Sequence, residues 1–239
     1  MQNILRFPEV SSTNDYIFSL KGDELFKHGL VVFADYQTNG RGQRGNYWES
    51  KKGKNLIMSM LIEPRLSVKS QFDINKIVCL AIVESLSSLG FDSKIKWPND
   101  IMIGQKKVGG ILIQNMISKN MIVFSVIGIG LNVNQSIFNK YSPKATSFIL
   151  EKEQEFNLLD IQQIVLSMLH KRLKMLFSER KDKDNYLNFL FKKDQNVRFR
   201  SKSKMFNGVI RGVASSGLLL VEVKGVIKQY NSKEIKMLF

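Results

Sequence analysis

Residues 40–48 read GRGQRGNYW, and the apolar segment that follows them has the character of a strand. That order constrains the fold more than any other feature of the chain. Gly40, Gly42 and Gly45 match the spacing G-x-G-x-x-G, which in a doubly wound nucleotide fold opens directly onto a helix whose N-terminal amides hold a pyrophosphate. The preceding strand is present as GLVVFADYQ (29–37), but the required helix is missing. In its place NYWESKKGKNLIMSML supplies a loop with Gly53 and a second buried strand over 55–62, stopped by Pro64. Glu63, the only acidic residue near the expected distance, stands before that proline instead of closing a βαβ unit. GQKKVGG (104–110) lacks the Gly-Lys-Ser/Thr ending of a phosphate-binding Walker loop. The glycines therefore join strand to strand, and the fold is not doubly wound.

The rest of the chain reads as α+β. Ser11, Ser12 or Thr13 caps a short helix with Asp15 near its positive end. Residues 70–89 have the best helical spacing, with Ile74, Ile77, Val78, Ala81 and Ile82 on one face and Gly90 as a stop. SKIKWPND (93–100) begins as a strand and breaks at Pro98. Residues 101–116 form a hairpin, 121–134 a buried strand, and 158–178 a helix carrying Ile161, Ile164, Val165, Met168 and Leu169. Composition changes near 182–190. Short β runs at 197–200, 205–213, 217–223, 226–230 and 235–238 then suggest a small barrel. Two domains are expected, 1–185 and 190–239.

The 239 residues carry a net charge of +15, which favours anionic partners. Residues 190–239 hold 11 Lys/Arg against 3 Asp/Glu, a net of +8. Cys79, the single cysteine, excludes an intrachain disulfide and lies in an apolar helical pattern, as a structural thiol would. His28 and His170 belong to no zinc-type cluster. There is no signal-peptide pattern and no 18-residue apolar run, so a cytoplasmic protein without a membrane span is expected.

Several short segments carry chemistry. Arg41 and Arg44 place guanidinium forks in a loop whose glycines let the backbone fold over a ligand, and Trp48 follows as a stacking surface. KWPND sets Lys96, for a carboxylate or phosphate, within five residues of Asn99 and of Asp100, an oxygen ligand for magnesium. Lys107 precedes Gly109 and Gly110, where a ligand can approach the backbone closely. GIGLNVN ends a strand on Asn132, an amide able to serve metal or phosphate, and SSTN gathers Ser12, Thr13 and Asn14 at a helix start. Each piece alone also fits a bland role as a cap, a turn or a solvated charge.

Taken in order, SSTN, DYQTNGRGQRGNYW, KWPNDI, KKVGGIL and GIGLNVN resemble the biotin protein ligases, densely over residues 8–135. The resemblance implies a core like that of the class II aminoacyl-tRNA synthetases, a mixed sheet with flanking helices, followed by an SH3-like barrel. It implies activation of biotin with MgATP to biotinyl-5′-AMP and transfer to a lysine of a biotin carboxyl carrier domain. Ser12, Thr13, Asn14 and Gln37 would bind the ring head of biotin. Arg41, Gly42 and Gln43 would fold over biotin and its adenylate, with Lys107 and Gly109 also on the biotin side. Arg41, Arg44, Trp48, Lys96, Asn99, Lys107, Asn132 and Thr146 (in KATSF) would serve ATP and the adenylate. Lys107, Arg41 and Lys96 would be catalytic, and Asp100 and Asn132 would hold Mg2+. A carboxylate attacking the phosphorus of a polyanion needs such cations, and no covalent enzyme nucleophile is required.

Two departures stand out. Gln43 occupies a place where many members carry an arginine, so weaker retention of the adenylate is expected. SSTN begins at residue 11, leaving no room before it for the DNA-binding domain of some members, so no DNA partner is expected. A sheet-mediated homodimer is compatible with the pattern. The alternatives are a lipoate or octanoate ligase of the same superfamily, separable by a biotin-versus-lipoate titration, and a basic nucleic-acid-binding module using the C-terminal segment.

Overall fold

The structure is a computed structural model that describes residues 3–176, 185–202 and 204–239; the side chain of Arg44 is outside the description. Residues 177–184, which cover the last part of the expected first domain, and the final two residues of the expected helix 158–178, lie outside the described residues.

Strand β1 (Ile4–Phe7) and helix α1 (Thr13–Ser19) precede β2 (Val31–Ala34), and β3 spans Asn55–Ile62. A two-residue strand, β4 (Leu66–Ser67), leads into α2 (Gln71–Ser88). Then come β5 (Ser93–Lys96), β6 (Asp100–Ile103), β7 (Lys106–Ser118) and β8 (Met121–Asn132), followed by α3 (Phe148–Lys152) and α4 (Leu158–Leu176). Strands β9 (Asn196–Ser201), β10 (Lys204–Val213), β11 (Leu219–Val223), β12 (Val226–Tyr230) and β13 (Lys236–Met237) complete the chain. β1, β4 and α3 have no counterpart in the sequence reading, because four, two and five residues are too short to show a period.

The large sheet runs β1-β2-β3-β8-β7-β6-β5, with β4 on β8, and is mixed: β1 and β2 are parallel and the other pairs antiparallel. All eight residues of β3 are buried because both faces of the sheet are covered. Alternation sorts them. Leu56, Met58, Met60 and Ile62 join the core with α2 and α4, as do Ile127, Ile129 and Leu131 of β8. Leu61 and Val126 pack on the other face with Ile17 of α1. Between the two main helices, Arg172 of α4 is buried and bonded to the Glu84 carboxylate of α2, an ion pair hidden inside an otherwise apolar pattern. Cys79 is free and fully buried, which pushes its thiol up out of reactive range.

The second sheet has the order β12-β11-β10-β9-β13. Phe199 lies in its interior, stacked 5.5 Å from half-buried Phe206. It meets the first sheet at the KWPND turn, where Trp97 Nε1 donates to the Gly217 carbonyl at 2.9 Å. Gly217 has φ +88°, and a Cβ there would press into the Phe72 ring at 2.8 Å, so the contact requires glycine.

Candidate active site

A cavity of about 770 Å³ opens on the α1 face of the large sheet, between α1, the glycine loop, the 138–145 loop and the second sheet. Its floor is made of β7 and β8. Gly110 is paired with Gly130, and Leu112 with Gly128. A Cβ on Gly130 would collide with the Trp48 indole, which lies flat on this floor, and one on Gly128 would collide with the Asn14 carboxamide. These close approaches, rather than turns, are what the two glycines of β8 provide.

Three rows of the sheet organise the site. Along β8, Asn132, Gly130 and Gly128 point to the same face, two residues apart, at steps of roughly 6.7 Å. The Gly130 row continues through Gly110 to Asp100 and Lys96. The Gly128 row continues to Ser59 of β3.

The Gly128 row carries neutral polar groups. Ser12 caps α1 and accepts from the Asp15 amide. Gln37 Oε1 accepts from the Thr13 amide at 2.8 Å and its hydroxyl at 3.0 Å. Ser59 Oγ lies 2.6 Å from both Thr13 Oγ1 and Asn14 Oδ1, and Asn14 Nδ2 donates to Gln114 Oε1 at 2.7 Å. Thr13, Asn14, Gln37 and Ser59 are all buried.

The Gly130 row is charged. Lys96 Nζ is 2.6 Å from Asp100 Oδ2, and Lys107 Nζ is 2.6 Å from Asp100 Oδ1. Burial alone would raise the Asp100 carboxyl, but the ammoniums of Lys107 and Lys96 outweigh it and hold it below the usual carboxylate range. Lys107 also lies 5.5 Å from the centre of the Trp48 ring, within cation–π range. Two cations on one carboxylate leave this end with an excess positive charge.

The backbone of Lys107 is clamped. Its amide donates to the Lys144 carbonyl and its carbonyl accepts from the Thr146 amide, both at 2.8 Å. Asn132 Nδ2 donates to the Thr146 carbonyl at 2.9 Å, and among the described residues Asn132 Oδ1 is buried without a partner. Trp48 Nε1 is likewise buried and unpartnered. Arg41 Nη2 is 2.9 Å from Asp15 Oδ2 and half-exposed, so the loop is fastened to the start of α1. Gln43 begins a 3-10 turn over Gln43–Gly45, and Gly42 and Gln43 line the cavity. Glu49 accepts from the Asn139 amides and from Tyr141 Oη at 2.6 Å, joining the glycine loop to the 138–145 loop.

The structure thus gathers Ser12, Thr13, Asn14, Gln37, Arg41, Gly42, Gln43, Trp48, Lys96, Asn99, Asp100, Lys107 and Asn132 around one cavity. Three expectations need correction. Gly109 does not face it: it lies two residues after Lys107, but the bulge in β7 opposite Ile101 and Met102 breaks the alternation and turns Gly109 to the helix side, where a Cβ would meet Leu131 at 2.5 Å, and Gly110 takes the cavity side. Thr146 directs its hydroxyl to Glu151 of α3 and contributes through its backbone, while Ala145 lines the cavity. Asp100, expected as a metal ligand, has both oxygens engaged by lysines, and no group of three His, Cys, Asp or Glu side chains suited to a metal occurs among the described residues. Asn99 lines the cavity while its amide donates to the Ile111 carbonyl at 2.6 Å.

Sequence reasoning missed Ser59, Gln114 and Glu151, and it quoted Gly128 and Gly130 within GIGLNVN without giving them a role. The available signals were Ser59, a polar residue inside the apolar run NLIMSMLI, and the two-residue spacing of the glycines in a buried strand. Glu151 accepts from both Lys106 and Thr146; burial alone would raise its carboxyl, and these two bonds hold it low.

The chain is similar to known proteins over nearly its whole length. The chain is 28% identical over 242 residues to the bifunctional ligase/repressor BirA of Bacillus spizizenii, covering 99% of this chain and 74% of that protein. It is 33% identical over 229 residues to the chloroplastic biotin–protein ligase 1 of Arabidopsis thaliana, covering 89% and 60%. Among solved structures, the biotin protein ligase of Aquifex aeolicus in complex with biotin and ATP superposes with a TM-score of 0.80 at 26% identity, over 99% of both chains. No described helix is long and apolar enough to cross a membrane. The model of the biotin/lipoate A/B protein ligase family matches residues 7–132, more than half of the chain, and the protein belongs to that family.

Proposed function

We propose that the protein is an ATP-dependent biotin protein ligase, which activates biotin to biotinyl-5′-AMP and passes the biotinyl group to a lysine of a biotin carboxyl carrier domain. The observation that carries this reading is the adjacency of two rows of one sheet. A neutral, hydrogen-bonded recess at Thr13, Asn14 and Ser59 suits an uncharged ring head, and one row away Lys96 and Lys107 offer surplus positive charge to a carboxylate and a phosphate. In the same proposal, residues 1–185 form a core like that of the class II aminoacyl-tRNA synthetases and 190–239 an SH3-like barrel.

The mechanism follows from the residues. A carboxylate oxygen of biotin attacks the α-phosphorus of ATP and pyrophosphate leaves; the acceptor amine then attacks the acyl carbon and AMP leaves. Anion repulsion opposes the first step, and Lys107 and Lys96 offset it by moving from Asp100 towards the reacting oxygens. Asp100 holds both ammoniums in place until then. Trp48 offers its face to the adenine, and its unpartnered Nε1 offers a donor to the ligand. Arg41, Gln43 and the backbone around Gly42 close over the adenylate and exclude water. Arg44 completes this loop in the proposal. Magnesium, which takes most of its ligands from water and phosphate oxygens, fits the free Oδ1 of Asn132, while Asp100 would have to release a lysine to join it. When bound, the metal would neutralise charge on the phosphates.

The test is to mix the protein with biotin, MgATP and a carrier domain and to look for biotinylated carrier by mass, with lipoate as the competing acid. Biotinylated product is expected; its absence across conditions, or preferential transfer of lipoate, would overturn the reading.

A further inference from the structure

Basic side chains of the second sheet occur in two states. On the β10–β11 side Arg211 is engaged by Asp194 at 3.0 Å and Glu222 at 2.8 Å, and Lys193 by Asp194 at 2.5 Å. On the β9–β13 side Arg198, Arg200 and Lys236 are exposed, and among the described residues their side chains have no ion-pair or hydrogen-bond partner. Register places them together. Arg200 stands directly opposite Lys236 on β13 and Met205 on β10, and Arg198 stands opposite Asn207. Val197 and Phe199, between them on β9, point into the interior. Like charges directly opposite one another weaken a sheet. Glu222 and Asp194 show that this sheet has acidic side chains to neutralise cations elsewhere.

The strip begins at the cavity, since Lys236 lines it together with Ser232 and Ile235. An acceptor lysine entering that cavity brings its own domain onto this rim. Met205, 57% exposed beside Arg200, adds an apolar member that suits a protein surface better than a phosphate backbone.

We propose that the β9–β13 face, through Arg198, Arg200 and Lys236, is the docking surface for the carrier domain, and that it recognises acidic side chains around the acceptor lysine. This rests on the ligase reading above. The strip would steer the carrier to the cavity rim and fix its orientation.

The experiment measures binding of a labelled, unbiotinylated carrier domain, acidic around its lysine, to the full chain by fluorescence anisotropy. The variants are Arg198→Glu with Arg200→Glu, the milder Arg198→Gln with Arg200→Gln, and Lys228→Glu on β12, the opposite edge strand, as a matched charge control. Biotin-dependent ATP–pyrophosphate exchange, which needs no carrier, is read in parallel. The Glu pair is expected to raise Kd about tenfold or more, the Gln pair less, and Lys228→Glu little, with exchange unchanged throughout and native binding weakening as salt rises. Native-like binding by both pairs, an equal loss in Lys228→Glu, or displacement of the carrier by a short oligonucleotide would overturn the proposal. Absent exchange in the native protein would instead overturn the ligase reading, and the binding arm would still decide the docking surface.

Discussion

The two ends of the cavity sit on adjacent rows of the same sheet and are built differently. At the α1 end, Thr13, Asn14, Gln37, Ser59 and Gln114 hold one another in a hydrogen-bonded set before any ligand arrives. At the other end, Lys96 and Lys107 share one carboxylate, and Asn132 Oδ1 and Trp48 Nε1 have no partner among the described residues. The first end is organised for a neutral group whose shape and hydrogen bonds must be matched. The second keeps charge and unpaired atoms in reserve for anions that are present only during the reaction. Recognition and chemistry are thus separated along the sheet, and substitutions should separate them too.

The largest effect is expected at the charged end. Lys107→Ala should lower the rate of adenylate formation by about 10²–10³, read by pyrophosphate exchange; a change under tenfold would mean that the charge surplus is not what drives the step. Gly130→Ala comes next. Its new Cβ must displace Trp48, so a loss of roughly tenfold in exchange and altered tryptophan fluorescence are expected. Gly109→Ala, crowded against Leu131 on the helix side, should lower the melting temperature while leaving KM values near native. Similar KM changes in both variants would erase the distinction between the two faces of β7 and β8. Ser59→Ala should raise KM for biotin about fivefold, the worth of roughly one net hydrogen bond, with little change for ATP. Glu151→Ala should do the reverse by a few-fold, because it frees the segment that holds Asn132 and Lys107. Equal effects on both substrates would collapse the two ends into one. Gln43→Arg should slow release of the adenylate, measured by dissociation of labelled biotinyl-AMP; unchanged or faster release would discard the role given to this position.

The smallest expected change with pH across the neutral range concerns Asp100. Its folded carboxyl titrates below the ordinary range near 4, so its contribution to stability is complete above that value and is lost as pH falls through the lower folded one. Melting temperatures of native protein and Asp100→Asn should therefore differ by a constant amount between about pH 6 and 8 and converge in acid. A gap that instead widens in acid would contradict the double lysine bridge.

Much of this was legible in the sequence. The strand after the glycine loop excluded the doubly wound fold, and the long helix and the β-rich end occur where the pattern put them, while Ser12 proves to be the cap among the three candidates Ser11, Ser12 and Thr13. The family motifs name most of the cavity residues because those residues are local in sequence. What escaped depends on neighbours across strands. Nothing in KKVGGIL says which glycine faces the cavity until β7 is in register with β8, and nothing near KWPND announces that one carboxylate will hold a lysine from its own turn and another from the next strand. Thr146 was misassigned for the same reason: its partner, Glu151, comes from a five-residue helix that shows no period.

Strand β8 acts on this site as a ruler. Asn132, Gly130 and Gly128 mark off the buried Asn132 amide, the platform under Trp48 and the neutral recess at Asn14 and Ser59 at equal intervals, so the span along the cavity floor is counted in residue pairs. A ruler of this kind cannot be shortened by one division. Removing a single residue from β8 would turn Ile129 and Leu131 into the cavity and the glycines into the core, and the site would be turned inside out instead of made smaller. Pocket length in such a protein changes by two residues at a time, unless a bulge like those at Ile101/Met102 and Met116/Ile117 absorbs the odd one.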